Sequence, residues 1–132
     1  MKFHEFVGEV QNRARLDSEG EALKATRATL QVMGQRLFGG EPGDLAAQLP
    51  EELQPYLTDT DGSEDFGIRK FYDRASQQEG EGVDYPQAVF HARAVMSVLQ
   101  DAVSGGEMQD VRAQWPDEYD ELFKFPFETG GQ

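Results

Sequence analysis

The chain contains an internal repeat that covers most of its 132 residues. Residues 39–57 align without a gap on residues 105–123, an offset of 66, and eight of these nineteen pairs are identical. The same offset extends back to Ala22, which matches Ala88, and at an offset of 65 Phe3 matches Ile68. A unit of this size cannot bury its apolar side chains alone. The repeat therefore predicts a fold in which two copies of one unit pack against each other.

Apolar residues recur at helical spacing in both copies. In the first copy, Phe3, Phe6, Val7 and Val10 fall on one face of a helix. A second helix is predicted to begin at Ser18, because a glutamate three residues later completes a capping box. In the second copy Asp84 takes the capping position, and a proline follows in the first turn, where its missing N–H does no harm.

Glycine pairs and prolines predict where these helices end and restart. Glycine takes the left-handed conformation that ends a helix, so the pairs at 39–40 and 105–106 are expected to terminate the long helices. A proline then opens the last helix of each copy. No stretch alternates apolar and polar residues as a half-buried strand would. The predicted short helices span 42–49, 51–57, 108–115 and 117–123.

We therefore predict a single domain, a compact all-α helical bundle made of two tandem repeats. Each repeat would contain two long and two short helices, and a pseudo-twofold axis would relate the repeats. The predicted boundaries are 1–57 for repeat one, 58–65 for a polar linker, 66–123 for repeat two and 124–132 for a C-terminal tail.

The chain is strongly acidic, with 12 Lys and Arg against 25 Asp and Glu and a formal net charge of −13. A field of this sign repels nucleic-acid phosphates and anionic membranes. The sequence has no cysteine, no apolar segment near the ~20 residues of a membrane helix, and no apolar signal-peptide core. We expect a cytoplasmic protein that binds neither nucleic acid nor membrane.

Acids in the predicted linker invite comparison with a calcium-binding loop. They are Asp59, Asp61, Glu64 and Asp65. An EF-hand loop with Gly62 at its sixth position would place leucine at the first position and isoleucine at the twelfth, where oxygen ligands are required. The segment is therefore predicted to be a solvated connection, and weak cation binding by its acids stays open.

Patterns typical of catalytic or metal sites are missing from the sequence. The two histidines, His4 and His91, form no metal-binding pair at helical spacing, and no serine lies in a nucleophile elbow. Adjacent acids such as Glu51 and Glu52 fall in predicted first turns, where the helix dipole explains them. We therefore predict that the protein is not an enzyme and has no metal site and no cofactor.

Two arginines, Arg27 and Arg93, occupy equivalent positions in the two copies. A guanidinium can bind a carboxylate through two parallel hydrogen bonds, so we predict ion pairs that hold each long helix to the short helices after it. The alternative is that these arginines bind an anion. The candidate acids, which also recur in both copies, are Asp44, Asp110, Glu52 and Glu118.

Each copy has an Ala-rich helix with one arginine, then a Gly-Glu turn, then a motif close to Leu-x-x-Gln-Leu-Pro-x-Glu-Leu. The motif runs from Leu45 to Leu53 and from Val111 to Tyr119, with Trp115 and Tyr119 in place of leucines. In these features the chain resembles a bacterial family, domain of unknown function 2267, over nearly its whole length. The resemblance implies an all-helical fold of two copies and assigns no catalytic residue.

The predicted function is a protein–protein interaction or adaptor module without catalytic activity. Phe90, Trp115 and Tyr119 differ between the copies, so they are candidate anchors for a partner protein or for self-association; alternatively, they fill the core. A second hypothesis is an acidic decoy that occupies the basic nucleic-acid-binding surface of another protein. Binding of that kind would weaken steeply with salt.

Overall fold

A computed structural model describes residues 1–125, which form helices and no strands, so the all-α prediction is confirmed. Residues 126–132 of the predicted tail lie outside this part. Within it, no helix is long and apolar enough to cross a bilayer. In chain order the elements are α1 (Phe3–Arg13), α2 (Glu19–Arg36), α3 (Glu41–Ala46), a 3-10 turn (Glu51–Leu53), α4 (Gln54–Thr58), α5 (Ile68–Glu79), α6 (Tyr85–Ala102), α7 (Gly105–Ala113) and a 3-10 helix (Asp117–Phe123).

The two long helices begin at the predicted capping residues. The Ser18 hydroxyl accepts a hydrogen bond from the Glu21 N–H at 3.1 Å. Asp84 and Gln87 form a reciprocal capping box, in which each side chain accepts from the other residue's N–H at 2.9 Å. Side chains within one turn of the start therefore decide where α2 and α6 begin.

The second glycine pair begins a helix instead of ending one. Helix α7 starts at Gly105 because the Ser104 hydroxyl caps it, accepting a hydrogen bond from the Glu107 N–H at 3.1 Å. The first copy has Phe38 in the position of Ser104, and Gly39 there adopts a left-handed φ of 67°. In both copies the long helix ends before the glycines, at Arg36 and at Ala102, and the residue that follows is already extended, so the prediction that the glycines terminate the long helices is wrong.

Helices α2 and α6 form the centre of the bundle. Helix α2 packs against α1 and α5, α6 packs against α5 and α1, and the two long helices also contact each other. Each long helix thus contacts the first helix of both copies. Buried apolar side chains from both copies form one continuous cluster, so the core is shared between them.

Two of the three predicted interaction anchors belong to this core. Trp115 is 7% exposed and Tyr119 is 1% exposed. Phe71 packs edge-on against both rings, with centroids 6.1 and 5.9 Å away, and the Tyr119 hydroxyl donates to the Phe66 carbonyl at 2.7 Å. Their large apolar area stabilises the interior. They therefore leave little surface for an external partner, whereas Phe90, the third candidate anchor, is half-buried.

Two arginines fix the linker to the bundle. Arg36, which is buried, donates to the Phe66 carbonyl at 2.8 Å and pairs with Asp65 at 3.2 Å. Arg74 binds both carboxylate oxygens of Glu64, at 2.8 and 3.1 Å, and these bonds hold the pKa of Glu64 below its ordinary value. Two of the four linker acids are thus already bound to arginine.

The end of α4 passes directly over Gly34 of α2. A methyl group at Gly34 would overlap the carbonyl oxygen of Leu57 and would lie 3.0 Å from the Thr60 hydroxyl. The glycine is therefore required by the approach of another backbone segment and not by an unusual φ angle.

Candidate functional site

A cavity of about 620 Å³ lies between the α1–α2 turn and the α5–α6 turn. Residues between 14 and 24 form one wall, and residues between 79 and 91 form the other. Its volume lies within the range of pockets that bind small molecules or inserted side chains. Because each copy supplies one wall, the cavity exists only when the two copies are packed together.

A buried histidine–glutamate pair lies at this cavity. Glu79 is the last residue of α5 and His91 lies in the second turn of α6; they are 5% and 7% exposed. The two carboxylate oxygens lie 2.9 and 2.8 Å from His91 Nδ1. A carboxylate only accepts hydrogen bonds, so Nδ1–H is the donor of this hydrogen bond and Glu79 is the acceptor. The pair fixes the ring and leaves Nε2 as the nitrogen that can bond a ligand.

The rest of the cavity combines an apolar wall with an acidic rim. Leu16, Val83 and Phe90 supply apolar surface. Four acids line the cavity against two bases, a local excess of two negative charges. These residues are Asp17, Glu21, Glu79 and Glu81 against Arg15 and Lys24. The arrangement suits a ligand that presents both a cationic group and an apolar stem.

The histidine–glutamate pair is present in one copy only. At the offsets that align the copies, Ala25 corresponds to His91 and Ala14 to Glu79. In the sequence His91 forms no metal-binding pair with His4 at helical spacing, and no partner is evident for it. The signal in the sequence is that Glu79 and His91 stand where the first copy has two alanines. These two residues are twelve positions apart, on either side of the α5–α6 turn.

The repeated arginines lie away from the acids predicted to pair with them. Within residues 1–125, no ion pair joins either arginine to a predicted acid. Arg93 donates to the Lys124 carbonyl at 2.8 Å, and Glu118 accepts from the Ile68 N–H at 2.8 Å, at the start of α5. Arg27 is half-buried and Glu52 is exposed. Glu118 thus binds the start of another helix, and within the described residues the predicted pairs do not form.

The other two predicted acids, Asp44 and Asp110, lie beside a buried carboxylate pair. Glu41 of α3 and Glu107 of α7 are equivalent positions of the repeat, and they are 8% and 9% exposed. Burial, together with the hydrogen bond and charge of Glu107 and the charges of both aspartates, raises the pKa of Glu41 to about 8. Sequence analysis missed this pair, although its signal is the glutamate retained after each glycine pair.

Comparison with protein-family models assigns the chain to a known group. A family model described as "Uncharacterized conserved protein (DUF2267)" matches residues 3–122. No curated protein matches the chain significantly. Because the family model spans well over half of the chain, the protein belongs to the DUF2267 family.

Proposed function

We propose that this protein is a protein–protein interaction module that binds a basic segment of its partner in the cavity between the α1–α2 and α5–α6 turns. The observation that carries this proposal is the buried Glu79–His91 pair. Burying a polar pair costs free energy, and the first copy avoids the cost with two alanines. The pair lines the cavity, so its polar atoms lie where a ligand can reach them, and this location favours a role in binding.

The chemistry of the cavity identifies the class of partner. A lysine or arginine side chain would place its charged group among Asp17, Glu21 and Glu81, and its aliphatic stem against Phe90. The net charge of −13 would attract the same partner from a distance. Both the local and the global charge therefore favour a basic protein segment.

Binding suits this cavity better than catalysis does. The described residues that line it include no serine, threonine or cysteine that His91 could activate as a nucleophile. The Nε2 atom then serves as a hydrogen-bonding group for the partner, and Glu79 holds it in place. We further propose a cytoplasmic partner, in keeping with the acidic, cysteine-free composition.

We also propose that a pseudo-twofold axis relates the two repeats and makes the scaffold of this site. Gln48 binds the backbone N–H of Ser104 at 2.7 Å, and its counterpart Gln114 binds that of Phe38 at 3.0 Å. Phe38 is itself the counterpart of Ser104. This reciprocal exchange between the copies supports the axis, as does the matching contact of α1 with α6 and of α5 with α2.

A labelled Lys-Lys-Phe-Lys-Lys peptide tests the proposed function by fluorescence anisotropy. We expect binding by the parent, no binding of Glu-Glu-Phe-Glu-Glu, about tenfold weaker binding by Phe90→Ala and about threefold weaker binding by Glu81→Gln. Phe90→Ala has the larger effect because it removes apolar contact area with the peptide. Glu81→Gln removes only one exposed charge at the rim, whose attraction to the peptide is weakened by salt.

Two matched variants control for general effects of charge and apolarity. Phe38→Ala removes a phenyl ring that is 49% exposed and outside the cavity, and Glu51→Gln removes an exposed acid outside it. Both should bind the peptide as the parent does. If Glu51→Gln weakens binding as much as Glu81→Gln, the acidic surface as a whole attracts the peptide, as in a decoy, and the cavity proposal is wrong.

A further inference from the structure

Three carboxylates from the two copies converge where α3 meets α7. Glu41 lies at the start of α3, and Glu107 and Asp110 lie in α7. One oxygen of each carboxylate lies within 4.8 Å of the others. The two glutamates are buried and the aspartate is exposed, so the group has a closed side and an open side.

The two glutamates each have a buried oxygen that no donor group of another described residue reaches. Oε2 of Glu41 and Oε2 of Glu107 are both inaccessible to solvent, and the hydrogen bond between the two glutamates needs a proton held by Glu41. When Glu41 is ionised, these two oxygens have no donor. Buried carboxylate oxygens almost always accept a hydrogen bond or bind a cation, because losing water without replacement is costly. Every charged group that acts on Glu41 is negative: Glu107, Asp110 and Asp44.

We propose that Glu41, Glu107 and Asp110 form a site for a calcium-sized divalent cation that joins the two copies. Hard divalent cations take carboxylate oxygens as ligands. Calcium–oxygen distances of ~2.4 Å place two ligands at most ~4.8 Å apart, and the three oxygens all lie within 4.8 Å of one another, which is compatible with one shared calcium ion. Magnesium usually keeps several waters and binds one or two carboxylates, so a group of three carboxylates favours calcium.

The exposed side of the site completes the coordination. Asp110 is open to solvent, so water can supply the remaining ligands and the ion can enter there. Gln48 lies next to Glu107, with its Nε2 3.4 Å from Oε1, and leaves the Oε2 atom of that glutamate unoccupied. The bound ion would hold α3 to α7 and so tie the first copy to the second. This site is separate from the cavity of the proposed function.

Thermal unfolding of the full chain tests the site. Protons compete for Glu41, and the charged groups that act on it are Asp44 on α3 and Glu107 and Asp110 on α7, so the measurement is made near pH 9. Calcium at about ten times its dissociation constant should raise Tm by about 5 °C relative to buffer with chelator. Magnesium at the same concentration should raise Tm less.

Variants and salt controls distinguish the site from screening of the acidic surface. Asp110→Asn should abolish the calcium-dependent shift while the protein still folds, because this residue is exposed. Asp61→Asn, an exposed acid in the linker, should retain the full shift. The proposal is overturned if Asp110→Asn responds as the parent does, if sodium chloride of equal ionic strength reproduces the shift, or if calcium has no effect.

Discussion

Replacing Gly34 by alanine should lower the free energy of unfolding by about 3 kcal/mol and Tm by about 10 °C. The added methyl group overlaps the Leu57 carbonyl oxygen, which is backbone at the end of α4 and cannot rotate away like a side chain. Helix α4 would have to move away from α2. That movement would also disturb the linker contact in which the Ser63 N–H donates to the Leu37 carbonyl at 3.0 Å. Urea unfolding followed by circular dichroism measures the loss.

Gly8→Ala is the matched control for this substitution. Gly8 also lies inside a helix, α1, but a methyl group there would meet no atom within 4 Å. Alanine favours the helix over glycine, so this variant should be more stable than the parent by about 0.5–1 kcal/mol. If Gly34→Ala is also stabilised, α4 does not pack on α2 as the structure has it.

Replacing Glu41 by glutamine should make the metal-free protein more stable than the parent at about pH 9 and nearly unchanged at about pH 5. In the folded protein the pKa of Glu41 is raised from 4.5 to about 8. Between these values the folded state keeps a proton that the unfolded state has released, so the parent loses stability as the pH rises. The loss is at most ~1.4 kcal/mol per pH unit. Glutamine stays neutral at every pH, so the variant does not undergo this loss of stability.

The measurement is urea unfolding at several pH values in the presence of chelator. Glu51→Gln controls for general relief of negative charge, since Glu51 is an exposed acid that is not among the groups acting on Glu41. Its stability should fall with rising pH in parallel with the parent, whereas the Glu41→Gln curve should be flatter. Parallel curves for all three proteins would show that Glu41 is ionised in the folded state at neutral pH.

The sequence predicts the helices well because their signals are local. Ser18 and Asp84 lie within one turn of the N–H groups that they cap, so the cap and the start of its helix are evident in the same short segment of sequence. The second glycine pair shows the limit of this approach, because Ser104 reverses the outcome that the glycines alone predict. Regular periodicity likewise predicts which residues share a face but not which other helix covers that face.

Contacts between distant segments could not be predicted. The size of Trp115 and Tyr119 is evident in the sequence, but their burial depends on Phe71 of a different helix. Arg27 and Arg93 recur in the repeat, yet the arginines that fix the linker are Arg36 and Arg74, which have no special position in it. Ion pairing depends on where side chains meet after packing, so repetition alone is a poor guide to it.

The candidate site combines residues that become neighbours only when α6 folds back on α5. His91 appears in the sequence as a lone histidine, and Glu79 as one acid among many. Comparing the two copies position by position gives a better signal, since both residues replace alanines. A difference of this kind identifies the two residues as candidates, and their location at the cavity is what favours ligand binding.

Basic-segment binding at the cavity is tested most directly by an NMR titration of ¹⁵N-labelled protein with Lys-Lys-Phe-Lys-Lys. We expect the largest chemical-shift changes at the amides of the cavity walls, around Leu16 and Val83 and along α6 to His91. The amides of α3 and α7, which carry acids outside the cavity, should shift little. Changes spread over all acidic surfaces, or none at the cavity walls, would contradict the proposed function.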